Sequence, residues 1–392
     1  MDAVDHGRRL FLAASASFLI SQGRSQTPET SNTGVSKRQS PSASGAADGR
    51  ESGGCDWFEA GLYGSWPNGF QDLAVRFGDL KRSALEDETP VSFDLPCGTP
   101  ALMHPRGVTM GCGGFEWVFE AQGIKFFIAN RAWGDENRIS VWFRAGGETC
   151  MVLGHLTVFS EVIRILSVLG FHYVKSSTPS RFDACIDLAG WTLQPIKEAW
   201  DEGRCIKRVD KWKIEGEALD TQTIEFGKRG GNQIVFYDKL AELRRDGEAG
   251  VNNRKYEYLC ERRWQCEPES ALRVELRIKG DWLRRNTDIR SCEEFFSKLP
   301  ELIRYLLAEE GKGWIKFVDD VPDRDNNHTQ RAELANWWKE IIAEFLAWAG
   351  HDRVKLVKPP RRALRLVAFP RWRQFKSSHS KLHSKLRPGW CR

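Results

Sequence analysis

Residues 271–279 read Ala271-Leu272-Arg273-Val274-Glu275-Leu276-Arg277-Ile278-Lys279. Side chains on a strand point alternately to its two faces. This run therefore places Val274, Leu276 and Ile278 on one side and Arg273, Glu275, Arg277 and Lys279 on the other. The apolar side must pack on a core, and the charged side is left to meet water or an ionic ligand; a half-exposed strand without any function gives the same alternation. A second run, Arg181-Phe182-Asp183-Ala184-Cys185-Ile186-Asp187, puts Arg181, Asp183, Cys185 and Asp187 on a common face. Two carboxylates and an arginine on one face suit a solvent-open cleft holding a divalent metal, because Mg2+ and Mn2+ prefer carboxylate oxygen. An exposed sheet face with an ion pair shows the same pattern.

Around these runs the chain reads as short strands and amphipathic helices. Strands are expected at 91–95, 115–119, 124–130, 138–144, 181–188, 208–215, 223–226, 233–237 and 271–278, bounded by glycine-rich turns. Helices are expected at 159–169, 193–202, 238–245, 293–307 and 330–349, with Gly170 and Gly350 at C-terminal cap positions. The pattern predicts an α+β fold: mostly antiparallel sheets, helices on one face, a helical C-terminal part and a disordered N-terminus. No internal repeat is visible. Residues 1–54 are assigned to a disordered segment, because 21–54 are rich in Ser, Gly, Thr, Gln and charge and poor in large apolar side chains. The region 55–320 follows, with halves 55–175 and 176–290, then a helical segment 321–358 and a tail 359–392.

A third stretch adds chemistry. Thr223-Ile224-Glu225-Phe226-Gly227-Lys228-Arg229-Gly230-Gly231 leads into Gln233-Ile234-Val235-Phe236-Tyr237-Asp238-Lys239. Two short strands flank a basic, glycine-rich turn, whose exposed amides suit a phosphate. Tyr237 ends an apolar strand, so its hydroxyl is placed to emerge at the sheet edge. A phenol ionises only near pH ~10, and a neighbouring lysine or metal would favour the phenolate. A strand-terminal tyrosine with its ring half buried is the commoner outcome.

Taken in order, the three stretches resemble the replication initiation factor family, the rolling-circle initiators of filamentous phages and small plasmids (Rep_trans type). The resemblance rests on Arg181/Asp183/Asp187, Gly227/Arg229, Tyr237/Asp238/Lys239 and Arg273/Glu275, and covers roughly residues 55–320. The sequence departs from the family at Gly231, where a serine is usual, and at Gln233–Phe236, where a basic residue often precedes the tyrosine. The resemblance implies a nicking-closing endonuclease that initiates rolling-circle replication. Tyr237 would attack a phosphodiester of the origin and retain a 5′-phosphotyrosine, with Lys239 and Arg273 as its catalytic partners. Asp183 and Glu275, with Asp187 as a third member, would hold Mg2+ or Mn2+, and Arg181, Lys228 and Arg229 would contact phosphate. The implied partners are origin DNA, single-stranded or cruciform, a host helicase and a polymerase, with a homodimer allowed and no membrane.

Other readings are weaker. The eight histidines form no His-hydrophobic-His strand, there is no G-x-x-x-x-G-K-[ST] loop, and the ten cysteines form no C-x-x-C pair. The cysteines are read as reduced thiols of a cytosolic protein. No run is judged apolar enough to span a membrane, and Arg8-Arg9-Leu10-Phe11-Leu12 is read as a chance likeness to a twin-arginine signal. A protein that binds an origin without cutting it, or a phage structural protein, remains the alternative.

Net charge is only +5, yet from Asp352 onward thirteen Lys and Arg face a single acid. Arg361, Arg362, Arg371 and Arg373 are interleaved with Phe369, Trp372, Phe375 and Trp390, a composition suited to phosphates and unpaired bases. Deleting residues 359–392 should flatten the salt dependence of DNA binding, by about 0.7 of log–log slope per lost single-strand phosphate contact. The loss should be alike for origin and scrambled oligonucleotides titrated across a salt series. An unchanged slope would show that the tail does not touch DNA.

Overall fold

A computed structural model describes residues 52–66, 68–105, 114–131, 138–209, 211–217, 220–228, 230–247, 253–310, 313–321 and 331–357. Residues 1–51 of the N-terminal segment, the basic tail and Arg229 lie outside these residues, and so do the expectations placed on them; Gly53 and Gly54, assigned to the disordered segment, instead begin the strand Gly53–Ser65 and are buried there.

The first half runs β1 (Gly53–Ser65), α1 (Phe70–Glu86), β2 (Val91–Asp94), β3 (Pro100–Met103), β4 (Phe115–Ala121), β5 (Ile124–Ala129), β6 (Val141–Ala145), α2 (Gly147–Val168) and β7 (His172–Ser176). The second runs β8 (Arg181–Ala189), α3 (Gln194–Asp201), β9 (Cys205–Lys207), β10 (Trp212–Glu217), β11 (Asp220–Gly227), β12 (Gln233–Asp238), α4 (Lys239–Gly247) and α5 (Asn253–Tyr258). A π-helical turn, Leu259–Trp264, then leads to β13 (Ala271–Lys279), α6 (Gly280–Asn286), α7 (Cys292–Leu306), β14 (Ile315–Phe317) and α8 (Asn336–Ala349).

One large antiparallel sheet takes the order β10-β11-β12-β13-β8-β1-β6-β5-β4-β3-β2, with β7 added to the far end of β1. The α+β class and the antiparallel sheet are as the alternation predicts. Within the large sheet both halves share an order, β1-β6-β5-β4-β3-β2 and β8-β13-β12-β11-β10, while β9 and β14 pair with each other in a separate two-stranded sheet. An internal repeat therefore exists, in strand order rather than in residues, which is why reading the sequence missed it.

The core lies on one face of the sheet. Phe58 of β1 sits in its middle, with ring centroids 4.9 Å from Phe143, 5.7 Å from Phe182 and 5.6 Å from Phe296. Helices α1, α2, α3, α7 and α8 contribute Phe77, Phe159, Ile196, Phe295 and Trp338 to the same cluster. Burial of these rings removes large apolar areas from water and fixes which face of each strand points inward. The exception is the segment from α4 to the π turn. Its Leu240, Leu243, Leu259 and Trp264 form a second cluster with Met151 and Ala271.

Helix α2 corrects two expectations. It starts at Gly147 rather than at Phe159, with a break at Gly154 (φ 72°, ψ 156°), where a left-handed φ suits glycine. With 22 residues and a mean hydropathy of 1.6 over its apolar window, it is long and apolar enough to cross a membrane by length and composition. Val158, Val162, Ile165 and Leu166 are nevertheless buried in the core beside β1. Polar residues scattered along it hid that average from a search for unbroken apolar runs.

Candidate active site

The second face of the sheet carries the charged residues, and the register sets them in rows. Thr223, Tyr237, Arg273 and Asp187 are successive partners across β11, β12, β13 and β8. Two residues along lie Glu225, Val235, Glu275 and Cys185, and two further lie Gly227, Gln233, Arg277 and Asp183. Tyr237, Arg273, Glu275, Asp183, Asp187 and Arg181 thus share one face of the sheet, with Lys239 at the start of α4 beside them, although strands far apart in sequence supply them.

The first row is built on a buried ion pair. Arg273 Nε donates to Asp187 Oδ1 at 2.6 Å and Nη2 to Oδ2 at 2.9 Å, while Nη1 reaches Asp56 Oδ1 at 2.8 Å. Arg263, from the π turn, donates to the same Asp187 carboxylate and lies 3.4 Å from Cys185 Sγ. Burial works against charge on Asp187, but Arg273 and Arg263 outweigh it and hold its carboxyl well below the usual range. The sequence reading gave Asp187 to a metal site in an open cleft. Instead it is fully buried and saturated by two guanidiniums.

Tyr237 is half-buried beside this cluster. Burial pushes its phenol well above the ordinary value; Arg273 opposes that shift, and Glu275, Asp56 and Glu242 add to it. Lys239 follows on α4, fully buried, with Nζ 5.5 Å from the Tyr237 ring centroid and 2.5 Å from Glu242 Oε2. Burial and then the like charge of Arg273 bring its amine down to about 8, against the pull of Glu242. Asp238, between them, faces the other way and caps α4 by accepting from the Ala241 amide at 2.9 Å.

Asp183 of the third row lies next to Glu275 of the second. Burial, and then the neighbouring Glu275 carboxyl, push Asp183 up to about 8 in spite of Arg181, whose Nε lies 2.8 Å from Asp183 Oδ2. Arg277 Nε donates to Glu275 Oε1 at 2.8 Å. Two adjacent carboxyls away from water are a pair that a cation relieves, so they fit as two ligands of Mg2+ or Mn2+. Among the described residues no group of three or more His, Cys, Asp or Glu side chains is gathered as a metal site.

Lys228 stands exposed at the tip of the β11–β12 hairpin, beyond the Asp183 row and at the opposite end of the strands from Tyr237. Gly227 is required there. Its φ is +114°, and a Cβ would come within 2.3 Å of the Asn232 carbonyl oxygen. Asp56, Glu242 and Arg263 belong to the site and were not read from the sequence. Asp56 lies within β1, whose glycines weaken its strand signal, and Arg263 sits on a turn with no periodic signal.

The two acids of β8 should respond unequally to removal. Asp187→Ala leaves Arg273 and Arg263 buried without their counter-charge and should cost about 3–5 kcal/mol in urea unfolding. Asp183→Asn removes one of two neighbouring carboxyls and should cost clearly less. Equal losses would show that the ion pairs of Asp187 are not the main support of this face.

No family model and no curated protein matches the chain. Among solved structures it is similar to the rolling circle replication initiator protein from Geobacillus stearothermophilus, at 11% sequence identity and a TM-score of 0.40, over 75% of this chain and 96% of that chain.

Proposed function

We propose that the protein initiates rolling-circle DNA replication by nicking one strand through Tyr237. The observation that carries this reading is the row Tyr237–Arg273–Asp187 with Lys239 against the tyrosine ring, beside the buried carboxyls of Glu275, one row along, and Asp183, two rows along. A phenol, a fixed guanidinium, an amine of lowered basicity and two acidic oxygens are the parts that tyrosine-mediated phosphodiester transfer needs.

In this mechanism Lys239, as the neutral amine, takes the Tyr237 proton. The phenolate oxygen attacks the scissile phosphorus, a P–O(Tyr) bond forms and the P–O3′ bond breaks. The 3′ oxygen leaves, is protonated and becomes a primer terminus; the 5′ phosphate stays on Tyr237. Arg273 cannot swing away, because Asp187 and Asp56 hold all three of its nitrogens, so its charge is preorganised beside the phenol. Asp183 and Glu275 would hold Mg2+ or Mn2+, which supplies Lewis-acid polarisation of the phosphate. Arg181 and Lys228, with Arg229 outside the described residues, would steer the phosphate backbone towards the site. Origin DNA is then the substrate, and a helicase and polymerase the partners that extend the nick.

A second reading has one observation in its favour. The burial that keeps the Tyr237 phenol protonated suits a protein that binds an origin without cutting it. Incubation with origin-bearing supercoiled DNA and Mg2+ or Mn2+ separates the two. The nicking reading expects relaxed circles and a covalent protein–DNA adduct, both abolished by Tyr237→Phe with DNA binding retained. An adduct that survives in the Phe variant assigns the nucleophile to another tyrosine, and wild-type protein that binds without cutting establishes the second reading.

The pH profile tests Lys239. Its amine is protonated below about 8 and neutral above, so the initial rate of adduct formation should rise as pH passes through that value. Lys239→Arg stays charged throughout and should lower the rate and remove the rise. A wild-type rate that falls with pH over the same interval would identify Lys239 as a cationic contact rather than a base.

A further inference from the structure

The charged face does not stop at the carboxyl pair. Asp183 is paired in register with Trp57 of β1, and Glu59 with Arg144 of β6. The Arg181 guanidinium lies 4.6 Å from the Trp57 ring centroid, and that of Arg144 lies 5.6 Å from Trp57 and 5.5 Å from Phe127. The indole is held edge-on: its N–H donates to Glu59 Oε1 at 2.8 Å, and Arg144 Nε donates to the same oxygen at 2.7 Å. Lys279, the register partner of Arg181, stands on the same face. A track of alternating rings and cations thus leaves the Tyr237 site and crosses β13, β8, β1, β6 and β5.

These side chains are only partly covered. The side chain of Arg144 is 42% exposed, that of Arg181 29% and that of Arg277 25%. The helices α1, α2, α3, α7 and α8 pack on the opposite, apolar face. Each guanidinium over the Trp57 ring is also held by a carboxylate, Arg181 by Asp183 and Arg144 by Glu59, so a phosphate would be met by cations already fixed beside the ring. Ring and cation side by side match a polyanion with free base faces. A duplex offers the phosphates but keeps its bases stacked, whereas a single strand offers both.

We propose that this track, centred on Trp57 and Arg144, binds the unpaired DNA segment adjoining the phosphate held at Tyr237, with bases on Trp57 and phosphates on Arg144, Arg181 and Arg277. The identity of the strand rests on the nicking reading; the affinity for unpaired DNA does not.

The test is binding of fluorescent oligothymidylate and of a duplex to the full chain, for wild type, Trp57→Ala, Trp57→Phe and Arg144→Gln. Trp57→Ala should weaken oligothymidylate binding about 5- to 150-fold, the loss of one stacked base. Duplex binding should change far less, and Trp57→Phe should restore most of the affinity. Arg144→Gln should reduce the single-strand salt slope by about 0.7. A folded Trp57→Ala variant that binds oligothymidylate like wild type overturns the proposal, as does an equal loss on duplex. Should Trp57→Ala fail to fold, an unchanged slope in Arg144→Gln overturns it instead. The outcomes are separable from those of the nicking reading: that reading fails when the wild type forms no adduct, whatever Trp57 binds, and the track fails when the wild type forms the adduct but the variants bind unpaired DNA unchanged.

Discussion

Arg273 and Asp187 face each other across β13 and β8, both out of water, and neither charge is tolerable there without the other. Removing a carboxylate and a guanidinium from solvent is costly, and two parallel hydrogen bonds repay it only while the register holds. The register is thereby fixed to the residue, because a slip by one would turn one of the two charges into the phenylalanine core and leave the other buried without its partner. Tyr237 inherits its position from the same pair, being the next partner of Arg273 in the row. Asp56 and Arg263 complete the charge count around it, so that strands and a turn from three regions of the chain converge on one guanidinium.

The rows further along show how the same backbone serves a different electrostatic end. Asp187 meets two arginines and stays ionised, whereas Asp183, four residues along the same strand face, meets a carboxyl and one arginine and holds its proton more tightly. One β-strand therefore presents an anion fixed by two arginines and, two rows away, an acid that keeps its proton more tightly. Lys239 is tuned in the same way: burial and the fixed charge of Arg273 lower its amine against the opposing pull of Glu242.

Much of this was legible in the residues. The alternation in 181–187 and 271–279 gave β8 and β13 and the charged faces correctly, and the basic turn gave the β11–β12 hairpin. Which acid meets which arginine was not legible, since it depends on the β13–β8 register and on Arg263, 76 residues from Asp187. The strand at the middle of the sheet, β1, was missed for a physical reason. Gly53, Gly54 and Gly61 weaken its strand signal, yet each leaves room for a side chain packed on the backbone: a Cβ would lie 2.4 Å from Trp348, 2.1 Å from Arg263 and 2.5 Å from Ile139. The glycines that hid the strand from the sequence are what let Arg263 reach Asp187.

The pairing of β1 with β8 joins two halves of like strand order along their inner strands. Each half is the other's edge protection: separated, either would present a long row of unpaired backbone groups, a template for pairing with another chain. The sheet is therefore continuous for cooperativity as well as for shape, and the half bearing Tyr237 draws its rigidity from a half whose strands carry none of the proposed catalytic residues. Substitutions in β1, β6 or β5 then reach the tyrosine through shared stability, and the tolerance of the half bearing Tyr237 to mutation is set partly by core residues of the other half.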